Sequence, residues 1–137
     1  AGSEFGATTG RPRRCGWIDI PQLKYSVMIN GVTELAMTKA DVLSTFEQIQ
    51  MAVNYKYDGI VTDELPFDLD RTQIECEYHA VEGWSEDVSG ISDYAELPGQ
   101  LKEFIKVVES RLNTPITIVS TGPERESLLI REAMLTA

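Results

Sequence analysis

The stretch that most constrains the fold is residues 98–119. Leu101, Phe104, Ile105, Val108 and Leu112 recur at spacings of three and four, which lines them along one face of a helix opened by Pro98. Pro115 then forces the backbone into an extended conformation. Ile116, Thr117, Ile118 and Val119 follow as a short apolar strand. A helix with one apolar face leading straight into a buried strand belongs in a layered arrangement of helices on sheet.

The same alternation runs through the rest of the chain. Asp19 is a good helix N-cap, with Pro21 in the first turn behind it. Ile20, Leu23, Val27 and Met28 keep helical spacing up to Asn30-Gly31, so the pattern predicts a helix over 20–30 with its apolar side in the core. Residues 33–37 read as a short buried strand. Asp41 then stands before Val42, Leu43, Phe46 and Ile49, which predicts a second helix. Met51, Val53, Tyr55 and Tyr57 alternate with Gln50, Ala52, Asn54 and Lys56, a strand pattern, and Asp58-Gly59 marks a hairpin turn. Residues 63–71 read as an acidic surface loop. Ile74, Cys76, Tyr78 and Ala80 alternate with Glu75, Glu77 and His79 as a half-exposed strand, and residues 82–97 read as a polar loop. Residues 125–131 read as a last helix. Strands alternating with helices, plus an antiparallel hairpin, predict an α/β fold.

Bulk properties narrow the function. The 137 residues make one domain, long enough to bury its own core. Twelve basic residues against twenty-two acidic ones leave a net charge of −10. That disfavours nucleic acid as the main partner, because backbone phosphates need a broad basic surface. No apolar run is long enough for a membrane span. Cys15 and Cys76 form no CxxC pair and His79 is the one histidine, so no zinc site can be assembled and the cysteines read as reduced thiols. Residues 1–6 show no periodicity, yet a dense motif follows at once. Order is poorest near a free end, so the chain is expected to be part of something longer, although Gly2-Ser3-Glu4-Phe5 can also be read as a cloning scar.

Three constellations carry chemistry. The first is Ala7-Thr8-Thr9-Gly10-Arg11-Pro12-Arg13-Arg14. Glycine lets the backbone approach closely, threonine and backbone N–H groups donate to anionic oxygens, and arginine forks onto a carboxylate or phosphate. A solvated basic loop is the alternative. The second is Thr38-Lys39-Ala40-Asp41 at the end of a strand. A carboxylate there can accept from the guanine N1–H and exocyclic amine together, with the lysine stem along the base. Alternatively Asp41 caps the following helix. The third is Ser120-Thr121-Gly122-Pro123, also following an apolar strand. Ligands of open α/β sheets sit outside such strand ends, so 39–41 and 120–122 could converge on one base; a plain turn is the alternative. No GxxxxGK[ST] phosphate loop and no catalytic triad are present.

Residues 2–19, the run Lys24-Tyr25-Ser26-Val27-Met28-Ile29-Asn30-Gly31, Thr38-Lys39-Ala40-Asp41-Val42-Leu43 and Val119-Ser120-Thr121-Gly122-Pro123 together resemble the adenylosuccinate synthetase family, in the same order. The resemblance covers essentially the whole chain and corresponds to the C-terminal third of that enzyme. It implies part of a larger P-loop-related α/β enzyme fold. It also implies GTP-dependent ligation of IMP and L-aspartate to adenylosuccinate with Mg²⁺, in the AMP branch of purine synthesis, by a cytoplasmic homodimer. Carried over by resemblance, residues 7–13 (Ala7, Thr8, Thr9, Gly10, Arg11, Pro12, Arg13) close over aspartate. Arg11 bridges toward the IMP ribose, and Arg13 reaches the aspartate carboxylate and the GTP phosphate side. Lys39, Ala40 and Asp41 recognise guanine, and Ser120, Thr121 and Gly122 close over the same base. The glycine-rich loop, the catalytic aspartate and histidine, the metal ligands and most IMP contacts are expected outside this chain, which alone is expected to be inactive. The competing expectation is an autonomous acidic module that binds a carboxylate or phosphate without catalysis.

Overall fold

The computed structural model describes residues 4–6, 8–69 and 73–131. Two small sheets share one core. The first contains β1 (Ile18–Asp19), β3 (Gln48–Tyr57), β4 (Ile60–Thr62) and β5 (Glu75–Glu82), with β3 as the common strand. β1 runs parallel to β3, while β4 and β5 are antiparallel to it. The second holds β2 (Leu35–Met37), β6 (Ile116–Ser120) and β7 (Leu128–Ile130), with β2 parallel and β7 antiparallel to the central β6. Helices α1 (Ile20–Asn30) and α2 (Gly99–Leu112) complete the α/β arrangement.

Helix α2 takes the form its spacing predicts. Leu101, Phe104, Ile105, Val108 and Leu112 are all buried, and they join Ile49 and Met51 of β3 and Ile116, Val119 and Leu129 of the second sheet in one apolar cluster. Burying five such side chains contributes about 1.5–3 kcal/mol each before the entropy cost of ordering them. At the far end of α2, Glu109 and Arg131 form an ion pair. Glu109 also accepts from the Ile116 N–H at 2.6 Å, and Arg131 donates to the Ile116 carbonyl at 2.7 Å and to the Tyr94 hydroxyl at 3.0 Å. The helix C-terminus, the start of β6 and the end of β7 are thereby locked together.

Helix α1 begins at Asp19, whose side chain accepts from the Gln22 N–H at 3.0 Å, and ends at Gly31 with φ 58°. Both ends match the sequence reading. Asp19 does more than cap: both its carboxylate oxygens lie 2.7 Å from the Tyr55 hydroxyl, which donates to them. Burial, reinforced by this carboxylate, pushes the Tyr55 phenol well above its usual range. The apolar side of α1 is only partly in the core. Ile20 and Pro21 are buried, whereas Met28 and Ile29 are exposed.

Four expectations need correction. The predicted helix after Asp41 is a short 3-10 turn, Ala40–Thr45, and Ile49 belongs to β3. Six residues do not span an α-helix of useful length once β3 claims residue 48 for pairing with β5. The simple alternation of β3 breaks at a bulge between Ala52 and Asn54, so Met51, Ala52 and Tyr55 are all buried. The expected polar loop 82–97 buries Trp84, Val88 and Leu97 in the core and includes a 3-10 turn, Tyr94–Glu96. The expected final helix is instead a 3-10 turn, Arg125–Ser127, followed by β7, which pairs with β6. Leu128, Leu129 and Ile130 alternate exposed, buried and exposed, so a strand buries Leu129 where a helix would not align it with Val119. The Asp58-Gly59 hairpin does form: both residues have positive φ, 49° and 76°, as a type I′ turn requires. Of the acidic loop, residues 70 and 71 lie outside the described residues.

Gly83 marks a tight crossing. Its N–H donates to the Glu47 carbonyl at 2.9 Å, and an added Cβ would stand 1.9 Å from the Phe46 carbonyl oxygen. Gly83→Ala is therefore expected to cost about 1–3 kcal/mol or more, since backbone must move to admit the methyl; urea unfolding of the two proteins measures this. Asp19→Ala removes a cap and strands a buried phenol, with an expected loss of about 2–4 kcal/mol. Asp19→Asn, which still caps and still accepts, should lose less in the same measurement.

Candidate functional site

The basic run folds as a small hairpin. The Gly6 N–H donates to the Arg11 carbonyl at 2.8 Å, the Gly10 N–H to the Gly6 carbonyl at 2.8 Å, and the Arg13 N–H to the Glu4 carbonyl at 2.9 Å. Phe5 and Pro12 form an isolated antiparallel bridge. Gly10 turns the chain with φ 64°, a conformation that costs other residues about 1–2 kcal/mol. Thr8, Thr9, Gly10, Arg11, Pro12, Arg13 and Arg14 are exposed, although the Gly10 and Arg13 N–H groups are taken up within the hairpin. Ala7 lies outside the described residues.

The second constellation adjoins the first. Lys39 takes a left-handed conformation, φ 61° and ψ 39°, and turns β2 into the 3-10 turn. Residues held in that region cost of order 1–3 kcal/mol and often mark functional sites. Glu4 forms ion pairs with both Lys39 and Arg13, the latter at 3.5 Å. The Lys39 hydrogen bond outweighs the desolvation of the carboxyl and, with the added charges of Lys39 and Arg13, holds Glu4 below its usual range. Beyond the hairpin, Trp17 stacks edge-on against Phe46 with ring centres 5.1 Å apart. A cavity of about 250 Å³ lies between the two segments, lined by Gly16, Trp17, Ile18, Met37, Thr38, Ala40, Leu43, Ile49, Gln50 and Phe104.

Asp41 does not cap the 3-10 turn. The capping position is Lys39, with no side-chain hydrogen bond there, and Asp41 lies inside the first turn. Its Oδ1 is buried with no hydrogen-bond partner among the described residues. An unpaired buried carboxylate oxygen is costly to keep, and a ligand with N–H donors satisfies it.

The third constellation stands beside the second. β2 and β6 are adjacent and parallel, with Met37 opposite Val119, so 38–41 and 120–122 leave the sheet from the same edge. Their side chains, however, differ in availability. Thr121 is fully buried, its hydroxyl within 3.3 Å of the Ile91 and Ser127 carbonyls. The Ser120 hydroxyl donates to the Gly122 carbonyl at 2.8 Å. A Cβ on Gly122 would meet the Ser127 hydroxyl at 2.9 Å. This loop therefore presents mainly backbone to its neighbours. The residue that sequence reading missed is Glu4. A lone acid just before a run of arginines was its only signal, and its partner Lys39 is 35 positions away.

Two loops leave adjacent parallel strands beside an exposed basic hairpin, the arrangement of an α/β protein of the class that places its ligand site at strand ends. Comparison with known proteins narrows this class. The family model for adenylosuccinate synthetase matches residues 1–129, and the chain belongs to the adenylosuccinate synthetase family. It is 48% identical over 130 residues to the adenylosuccinate synthetase of Christiangramia forsetii, covering 95% of this chain and 31% of that protein. It is 45% identical over 132 residues to that of Paramecium tetraurelia, covering 96% and 31%. A solved structure of fully ligated adenylosuccinate synthetase from Plasmodium falciparum superposes with a TM-score of 0.89 at 38% identity, over 96% of this chain and 32% of that one. The chain thus spans about a third of the length of the relatives it matches.

Because Asp41 does not cap and its buried Oδ1 has no partner among the described residues, Asp41→Ala is expected to leave the ligand-free chain as stable as before, or more stable. A capping aspartate would instead lose about 1 kcal/mol on the same change. Urea unfolding without nucleotide separates these outcomes.

Proposed function

We propose that this chain supplies the aspartate loop and the guanine pocket of an enzyme that joins IMP to L-aspartate at the expense of GTP, giving adenylosuccinate, GDP and phosphate. The observation that carries this reading is the buried, unpartnered Oδ1 of Asp41 at the edge where β2 and β6 end together. Guanine offers N1–H and an exocyclic amine side by side, and a carboxylate accepts both. Adenine has no proton at N1 and no amine beside it. In this reading Lys39 lies along the base, Ala40 and Asp41 form the pocket floor, and the backbone of Ser120, Thr121 and Gly122 closes over the ring.

Residues 7–13 receive L-aspartate. Arg13, with its side chain 61% exposed, reaches the aspartate carboxylate and the phosphate side of GTP. Arg11 bridges the aspartate and the IMP ribose. Thr8 and Thr9 add hydroxyl donors and Gly10 the turn that presents them, and these groups bind and orient the substrates. The segment corresponds to the C-terminal portion of a longer, homodimeric, cytoplasmic enzyme. Its remaining part provides the phosphate loop, the catalytic aspartate and histidine and the magnesium ligands. Mg²⁺ there neutralises phosphate charge. Among the described residues no group of three or more His, Cys, Asp or Glu is placed to hold a metal, and no step is assigned to one in this chain. No helix among them is long and apolar enough to cross a membrane.

Residue-resolved NMR titration of the chain with GDP and, separately, ADP tests the guanine assignment. GDP is expected to shift 39–41 and 120–122 and to bind about ten-fold or more tighter than ADP, as one bidentate base contact is worth about 1–3 kcal/mol. Asp41→Asn should weaken GDP and gain xanthosine diphosphate, whose oxygen replaces the amine. Equal responses to GDP and ADP, or none to either, overturn the assignment for this chain.

A further inference from the structure

We propose that Glu4 is a positioning residue that tethers the basic hairpin to the base-binding segment, so that the register of Arg13 depends on where Lys39 stands. The link to a base rests on the guanine reading above; the tether itself does not. Three contacts converge on Glu4. Its carbonyl accepts from the Arg13 N–H at 2.9 Å. One carboxylate oxygen pairs with the Arg13 guanidinium at 3.5 Å, and the other takes the Lys39 ammonium. No single-charged contact of this kind adds much stability at a surface, so the consequence of the arrangement is positional. Glu4 sets the distance between two cations from segments 35 positions apart.

The rest of the loop supports this. Lys39 leaves its backbone from a left-handed turn whose direction is fixed by φ 61°. The hairpin is fastened to the same segment a second time, through Trp17 against Phe46. The strap is therefore held near both ends, by charge at Glu4 and by ring contact at Trp17, while Thr8, Thr9, Gly10 and Arg11 between them stay exposed. Arg13 has five N–H donors, and Glu4 engages NH1, which leaves donors for an incoming carboxylate. Tether and ligand can therefore be held at once. A ligand that moves Lys39 also moves Glu4, and with it Arg13. By linkage, occupancy of either segment changes the affinity of the other by the same factor.

The sign of the pH dependence follows from the cations around Glu4. Lys39 and Arg13 hold its carboxyl below the ordinary glutamate range. The tether is fully present above that range and is lost as pH falls through the lowered value.

NMR on the whole chain tests the proposal in two arms. The first follows the Glu4 carboxyl carbon, the Arg13 Nε–H and the Lys39 ammonium through a pH titration of the native chain and of Glu4→Gln. The expected result is one shared step below the ordinary glutamate range in the native chain, absent in Glu4→Gln, with the amide spectrum of α2 and β3 unchanged. An ordinary glutamate titration, or cations that do not follow it, overturns the tether. The second arm adds GDP. Shifts that begin at 39–41 should extend to 10–13 in the native chain and stop at 39–41 in Glu4→Gln. Equal loop shifts in both proteins overturn the coupling. A native chain that shows the shared pH step but no response to GDP retains the tether and counts against the guanine reading instead.

Discussion

Parallel pairing of β2 with β6 is the constraint on which the candidate site depends. It sets Met37 beside Val119, and the two loops that follow then share one edge of the sheet. The pairing is buttressed away from the strand ends. The Thr117 hydroxyl donates to Glu34 at 3.0 Å across 83 positions of sequence, and the Leu35 N–H donates to the Pro115 carbonyl at 2.8 Å. On the other side β7 satisfies the remaining edge of β6. Exposed strand edges invite slippage, and a one-residue slip of β2 would carry 38–41 away from 120–122 and turn its side chains over.

The first sheet positions the hairpin. β1 is only two residues long, yet Ile18 and Asp19 pair with Met51 and Ala52, and Asp19 holds Tyr55 from the same strand. The basic loop thus ends at a point nailed to β3 and to the start of α1. Apolar packing and buried hydrogen bonds carry the stability of this frame, while the exposed charges of the loop carry little of it. Substitutions among those charges therefore disturb folding little.

Asp41 and Lys39 show the opposite trade. One keeps a buried oxygen unpaired and the other a strained backbone, and both are costs to the ligand-free fold. Each sits where β2 turns away from the sheet. Features that weaken a fold persist where binding offsets them. This physical pattern is what supports the proposal of a base pocket at residues 38–41.

What the sequence by itself determined are the elements governed by local energetics. Helix α2 was legible from five apolar residues at helical spacing, the ends of α1 from Asp19 and Gly31, and the β3–β4 turn from Asp58-Gly59. In each case the deciding interactions lie within a few positions of one another. The three motifs proposed to meet a ligand also stand out in the sequence, because arginine, carboxylate and glycine chemistry is local to the residue. Tertiary structure decided the rest. Whether residues 128–130 form helix or strand depended on the open edge of β6, and whether Asp41 caps depended on the competition between a short turn and β3. The seat of Trp84 in the core depended on packing against Phe104 and a hydrogen bond to Ser44 at 3.0 Å. The tie between Glu4 and Lys39 joins residues that no local pattern relates. Such pairings are chosen by burial and charge summed over the folded chain, and periodicity along the sequence carries no record of them.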